Sequence, residues 1–198
     1  MKACKVIIKA VFSFFFLMLI VACASTKNAS NKRIGRPVYI TNTKKIWLLP
    51  PQSASQTVEA LQLFSGSFGQ SNFSLLSYTQ IDGNGIQLLL FNEFGTDMGA
   101  LNYDDKKISF SSSFFPEKLP AEYILAEIQN VYYKFEELSE NYADSGLTFE
   151  RSFYENTSEK EVRRLWDGKT LIEEIEIGDN KAVIKNFLRS YSIELLSQ

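Results

Sequence analysis

A chain of 198 residues, 45% hydrophobic and 22% charged with a net charge of −2, suits one globular domain with a tail. It contains no histidine. That absence excludes Ser-His-Asp and Cys-His nucleophile systems, His-liganded zinc and imidazole acid–base catalysis, and moves expectation away from enzymes.

Lys2, Lys5 and Lys9 precede the apolar run Ala10 to Val21, the charge and length pattern of a secretory signal peptide. The run is short for a membrane span, which needs roughly 20 apolar residues. It ends at Ile20-Val21-Ala22-Cys23, which resembles the bacterial lipobox, with Ile20 where leucine is more usual. The resemblance implies removal of residues 1–22 and acylation of Cys23. Two or more acyl chains make a stable anchor, at about 0.8 kcal/mol per buried methylene. Ala24, where inner-membrane lipoproteins carry Asp, implies the inner leaflet of the outer membrane, facing the periplasm. The alternative is an uncleaved anchor helix. On the lipoprotein reading Cys4 leaves with the signal and Cys23 is modified, so the domain has no disulfide and rests on its hydrophobic core.

Residues 23–45 hold six cations (Lys27, Lys32, Arg33, Arg36, Lys44, Lys45) and no acid. From Ile46 on, 12 Lys/Arg face 23 Asp/Glu. Residues 23–45 therefore read as a basic tether and 46–198 as a single acidic domain. The tether either lies on anionic lipid or is a solvated linker. Nucleic acid is a poor partner for so acidic a domain.

Alternation predicts strands over Thr57–Phe68 and Asn72–Ile81, with Asp82-Gly83-Asn84-Gly85 as a tight hairpin. Ile86–Phe94 is apolar at both parities and is expected to be buried on both faces. Ala100–Asp104 and Ile108–Phe114 follow as a pair around Asp104-Asp105-Lys106-Lys107. Leu119–Leu138 then changes period. Ile124, Ile128, Val131, Phe135 and Leu138, with Leu125 and Tyr132 beside them, predict one amphipathic helix behind Pro120. Strands resume at Leu147–Glu155, Glu161–Trp166, Lys169–Ile177, Ala182–Phe187 and Ser190–Leu196. The expected fold is α+β, mainly β: a curved, open antiparallel sheet of about ten strands with a helical insert covering its concave face.

Leu89-Leu90-Phe91-Asn92-Glu93-Phe94-Gly95-Thr96 resembles the protruding turn of LolB, the outer-membrane lipoprotein that receives lipoproteins from a soluble periplasmic carrier. The element order is similar too, and implies a half barrel whose helix-covered concave face holds acyl chains. Leu48-Leu49-Pro50-Pro51, Gly99 to Asp104, Leu119 to Leu125 and Tyr191 to Leu195 are similar to recurrent segments of an uncharacterised family of bacterial lipoproteins. Members are often encoded near aryl-polyene or fatty-acid biosynthesis genes. The resemblance implies an acyl or polyene lipid cargo and a possible periplasmic carrier as partner. It places Phe94, and beside it Met98, in a membrane-insertion loop, although Glu93 stands where LolB has proline. Ile124, Leu125, Ile128, Val131 and Phe135 are the groove and lid candidates. The second reading is a structural or assembly lipoprotein whose core is packed and whose surface docks a protein.

No Gly-x-Ser-x-Gly, phosphate loop or CxxC occurs, and no cofactor, metal ligand or catalytic residue is expected. Ser65-Gly66-Ser67-Phe68-Gly69 lacks the lysine of a phosphate loop and reads as a strand bend. Glu136-Glu137 and Glu173-Glu174-Ile175-Glu176 read as exposed polar edges rather than paired glycosidase carboxylates. Arg163-Arg164 beside Trp166 is either a site for an anionic head group or, more simply, a solvated strand face.

Overall fold

The computed structural model describes residues 37–115, 120–154 and 160–198. The signal segment, Cys23, the tether up to Arg36, the predicted helix start at Leu119 and Glu155 lie outside the described residues. Two short strands, β1 (Val38–Tyr39) and β2 (Lys45–Ile46), pair antiparallel. Val38 and Ile46 are both buried, so the core already includes residues assigned above to the tether. A 3-10 turn at Pro51–Ser53 follows.

The body is one ten-stranded sheet. In chain order it comprises β3 (Val58–Phe68), β4 (Ser71–Ile81), β5 (Ile86–Phe91), β6 (Asp97–Tyr103) and β7 (Ile108–Ser112). After the helices come β8 (Thr148–Tyr154), β9 (Lys160–Asp167), β10 (Thr170–Ile177), β11 (Lys181–Asn186) and β12 (Tyr191–Ser197). The spatial order is β7-β6-β5-β4-β3-β12-β11-β10-β9-β8, with every neighbouring pair antiparallel. β7 and β8 are opposite edges and do not pair, so the sheet is curved but open, as expected. Two helices, α1 (Ala121–Tyr132) and α2 (Phe135–Ala143), connect those two edges.

This topology explains why one face is covered. The chain leaves β7 at one edge and must reach β8 at the other. The apolar residues of one strand parity need a cover, and the crossing segment supplies it. Phe64, Leu75, Ile81, Leu88, Leu90 and Leu101 meet Leu125, Ile128, Val131 and Leu138 in one buried cluster. Tyr191, Ile193 and Leu195 of β12 join from the centre of the sheet, carried there by pairing with Phe68, Gly66 and Phe64.

Three expectations need correction. The single helix is two, broken at Tyr133–Lys134, where both residues take extended ψ values of 160° and 128°. No proline causes the break. The N-terminal arm does, because Tyr133 bridges Ala54, the Ser55 amide donates to the Tyr132 carbonyl and the Lys134 amide donates to the Ser53 carbonyl. β5 is buried on one face only: Leu89 and Phe91 are half-buried on the outer side. It also ends at Phe91, where the Asn92 side chain accepts from the Phe94 and Thr96 amides and turns the chain. Finally, Ser65 to Phe68 is unbroken strand, with Gly66 where a Cβ would come within 2.8 Å of the Phe73 ring.

Candidate functional site: the helix-covered face and its buried acid pair

α1 lies with Leu125 (fully buried), Ile128 and Val131 in the core, while Ile124 and Phe135 are half-buried at its margin. Phe135 stacks on Phe149 of β8 at 5.6 Å between ring centres, and the Arg151 guanidinium lies over the Phe135 ring at 4.4 Å. The lid candidates thus divide into three that grip the sheet and two that border it. Phe94 is 84% exposed at the β5–β6 turn, while Met98 folds back against the core.

The helix is held by polar contacts as well as apolar ones. Arg163 projects from β9 onto the covered face and donates from Nη1 to the carbonyls of Asn130 (2.7 Å) and Tyr133 (3.1 Å), the last turn of α1. Its Nε pairs with Glu161 at 2.7 Å. A cation on the carbonyl end of a helix satisfies unpaired acceptors and opposes the helix dipole. Arg163 is therefore neither a solvated strand residue nor a surface head-group site. Arg164 faces the other way and pairs with Glu174 at 2.8 Å.

Beneath the middle of α1 lies a cluster that the sequence reading missed. Glu173 of β10 accepts from Asn130 Nδ2 of α1 (3.0 Å) on one oxygen and from Asn186 Nδ2 of β11 (2.9 Å) on the other. Asn130 in turn accepts from the Tyr142 hydroxyl of α2 at 2.8 Å. The Tyr191 hydroxyl of β12 donates to Glu127 of α1, whose second oxygen is buried without a hydrogen-bond partner. Burial first, and the Glu173 charge second, push the Glu127 carboxyl well above the usual carboxylate range. Burial also raises Glu173, although its amide partners oppose that. Two carboxyls this close do not both ionise in a dry site. The hydrogen bond between them raises Glu127 and lowers Glu173, so the pair favours the proton on Glu127. Arg189 lowers both, and it is also stacked over Tyr123 at 4.6 Å. A visible signal existed: Glu127 interrupts the apolar stripe between Ile124 and Ile128.

Free space on this face is small. The cleft beside the pair, lined by Val38, Tyr123, Glu127, Glu173, Asn186 and Tyr191 among others, has about 20 Å³ of free volume, enough for about one water. A larger depression of about 300 Å³ near the β4–β5 turn is bordered by Gln80, Asp82, Gln87, Asn102 and Asp104 together with Ile86 and Tyr103. Where β3, β4 and β7 converge, the covered face is aromatic instead. Phe64 and Phe73 meet edge to face at 5.1 Å, and Phe114 and Phe115 lie 5.7 and 6.2 Å from Phe73.

Other acids named in the sequence runs form ion pairs. Glu176 pairs with Lys185 at 3.2 Å and with Lys160, and Glu136 pairs with Arg151 at 2.9 Å. β10 is an interior strand, so Glu174 and Glu176 line the sheet's outer face rather than an edge. Among the described residues no cluster of acids and cysteines is placed to hold a metal, and no helix is long and apolar enough to cross a membrane.

Fold and site together define an open antiparallel sheet roofed by a two-helix crossing segment. The sequence places the protein further: residues 59–198 match the model of a family of unknown function, DUF3261, and the chain belongs to that family. The match covers the whole ten-stranded sheet apart from the first residue of β3. No curated protein sequence matches the chain.

Proposed function

We propose that the protein is an outer-membrane lipoprotein, anchored through Cys23, that takes an acyl or polyene chain between α1 and the sheet and assists its transfer or insertion. The observation that carries this reading is the aromatic end of the covered face. Phe64, Phe73, Phe110, Phe114 and Phe115 form a connected ring cluster there, and its outermost member, Phe114, is 39% exposed. An apolar chain entering here passes from solvent onto aromatic surface and then under α1.

In the closed arrangement the face is filled, so occupancy requires α1 to lift. Lifting exposes Leu125, Ile128 and Val131, at about 1.5–3 kcal/mol for each side chain, and an apolar chain laid in their place offsets that cost. The mechanism is exchange of one apolar contact for another and needs no bond chemistry. The LolB-like element order and the lipobox agree with it, as does the absence of histidine from the whole chain. The packed face also favours a second reading, a lipoprotein whose helices stay seated and whose surface docks a protein partner.

Native mass spectrometry of the chain purified from its own membranes separates the two. The carrier reading expects a non-covalent lipid adduct that is displaced by added fatty acid. A lipid-free chain that also excludes apolar fluorescent probes supports the docking reading instead. Radiolabelled palmitate incorporation, compared with Cys23→Ser, tests the anchor separately.

A further inference from the structure

The two ends of the sheet differ in the chemistry of their turns. At one end lie the β4–β5 tip Asp82 to Gly85, the β6–β7 tip Asp104 to Lys107 and the β10–β11 tip Gly178 to Asn180. None of them contains an apolar residue, as solvated turns require. The opposite end breaks that rule at four positions in succession. Going inward from the β7 edge, Phe114 follows β7 and is 39% exposed, Phe94 in the β5–β6 turn is 84% exposed, and Phe68 at the β3–β4 tip is 64% exposed. Phe187 and Leu188 in the β11–β12 turn are 51% and 49% exposed.

These turns are adjacent because of the strand order. The segment leaving β7 and the β5–β6, β3–β4 and β11–β12 hairpins contribute them in that order across the sheet. With strands roughly 4.8 Å apart, the tips span about 30 Å. A row of exposed aromatic side chains of this length marks an interaction surface rather than scattered surface residues.

The same end is where the tether joins. Tyr39 of β1 is 43% exposed, and its carbonyl accepts from Arg189, which shares the β11–β12 turn with Phe187 and Leu188. Lys44, just before β2, pairs with Asp167 of the β9–β10 turn at 2.6 Å. Thirteen residues separate Cys23 from Pro37. Fully extended, a chain of that length reaches at most about 45 Å. On the anchor proposed above, this is the end at which the chain leading back to Cys23 enters the described domain.

We propose that the row of tips carrying Phe68, Phe94, Phe114, Phe187 and Leu188 is a membrane-docking edge. It seats the aromatic end of the covered face on the bilayer surface, so that a lipid chain moves between membrane and sheet without crossing water. Aromatic rings suit this position because they are stable at the boundary between headgroups and acyl chains. The occupant is the lipid surface itself. The tether's point of entry takes the Cys23 anchor from the preceding proposal, whereas the exposed row stands without it.

The test uses unacylated chain from Ala24 onward, which keeps every described residue, and vesicles of phosphatidylethanolamine and phosphatidylglycerol at 3:1. The fourfold variant Phe68→Ser, Phe94→Ser, Phe187→Ser and Leu188→Ser should sediment with vesicles at least tenfold less than the parent, with the same melting temperature. Phe153→Ser with Tyr154→Ser, exposed at the opposite end, should match the parent. Binding that survives the fourfold variant, or falls equally in both variants, overturns the proposal, and so does a parent that does not bind. Lipid co-purification with the fourfold variant is read separately by native mass spectrometry. A variant that keeps its adduct but loses vesicle binding separates docking from cargo binding.

Discussion

Replacing Arg163 with methionine removes the cation that clasps the end of α1 while keeping most of the apolar stem. Two buried carbonyls, those of Asn130 and Tyr133, lose their donor, and Glu161 loses its partner at 2.7 Å. A hydrogen bond to a charged group contributes about 1.5–3 kcal/mol. Relief of the cation's own desolvation offsets part of the loss, and breaking one side of a buried pair costs about 3–5 kcal/mol in comparable sites. The Arg163 side chain is only 6% exposed, so solvent does not replace the lost partners. For a unit of this size, Arg33–Gln198, each 1 kcal/mol moves the melting temperature by roughly 2–4 °C. Arg163→Met should therefore melt roughly 6–20 °C lower, with a matching fall in the urea midpoint. Arg163→Lys, which keeps the charge but not the fork, should fall between the two. A loss below about 1 kcal/mol for Arg163→Met would refute the idea that this residue fastens the helix.

Other perturbations probe different parts of the same face. Leu125→Ala empties a fully buried site in α1 and should cost about 2–5 kcal/mol by urea denaturation. If α1 is the element that lifts, the same change should speed uptake of an apolar fluorescent probe. Glu127→Gln removes a carboxyl whose pKa is raised on folding. In the parent that group stabilises the fold fully below the unfolded carboxyl pKa of about 4.3, and the contribution is lost as pH rises through the raised folded value. The parent's advantage over Glu127→Gln should thus be largest in acid and shrink toward neutral pH, measured as urea midpoints across that range. A constant difference would show that Glu127 does not change protonation on folding. Phe94→Glu alters an 84% exposed turn residue and should leave the melting temperature unchanged while weakening vesicle association. Unfolding instead would show that Phe94 is part of the core.

The hairpins were legible because the sequence marks them twice, by alternating apolar residues and by turn residues such as Asp82-Gly83-Asn84-Gly85. Those local signals set neighbours within each half of the sheet, whereas the pairing of β12 with β3 that joins the halves has no mark in the sequence. The break between α1 and α2 was not legible, since the 3.6-residue period runs straight through Tyr133 and Lys134. The hydrogen bonds that interrupt it come from Ser53, Ala54 and Ser55, about 80 residues away. The acid pair was hidden for a similar reason. Glu173 sits in an acidic run that reads as solvated, and its partners come from two other places in the chain, Glu127 and Asn130 from α1 and Asn186 from β11. Likewise Arg163 and Arg164 look equivalent in sequence, while strand parity sends one under the helix and the other to the outer face. The row of exposed tips needed the strand order, because Phe68, Phe94, Phe114 and Phe187 are far apart in sequence and become neighbours only in the sheet.

The claim that a lipid chain lies between α1 and the sheet is tested most directly by photo-crosslinking. A fatty acid with a photoactivatable group at its methyl end is equilibrated with the unacylated chain, irradiated, and the adducts are mapped by peptide mass spectrometry. Binding under α1 predicts adducts on Phe64, Phe73, Ile124 and Ile128, with competition by unlabelled fatty acid. Adducts confined to the outer face, or none that unlabelled fatty acid suppresses, would contradict it.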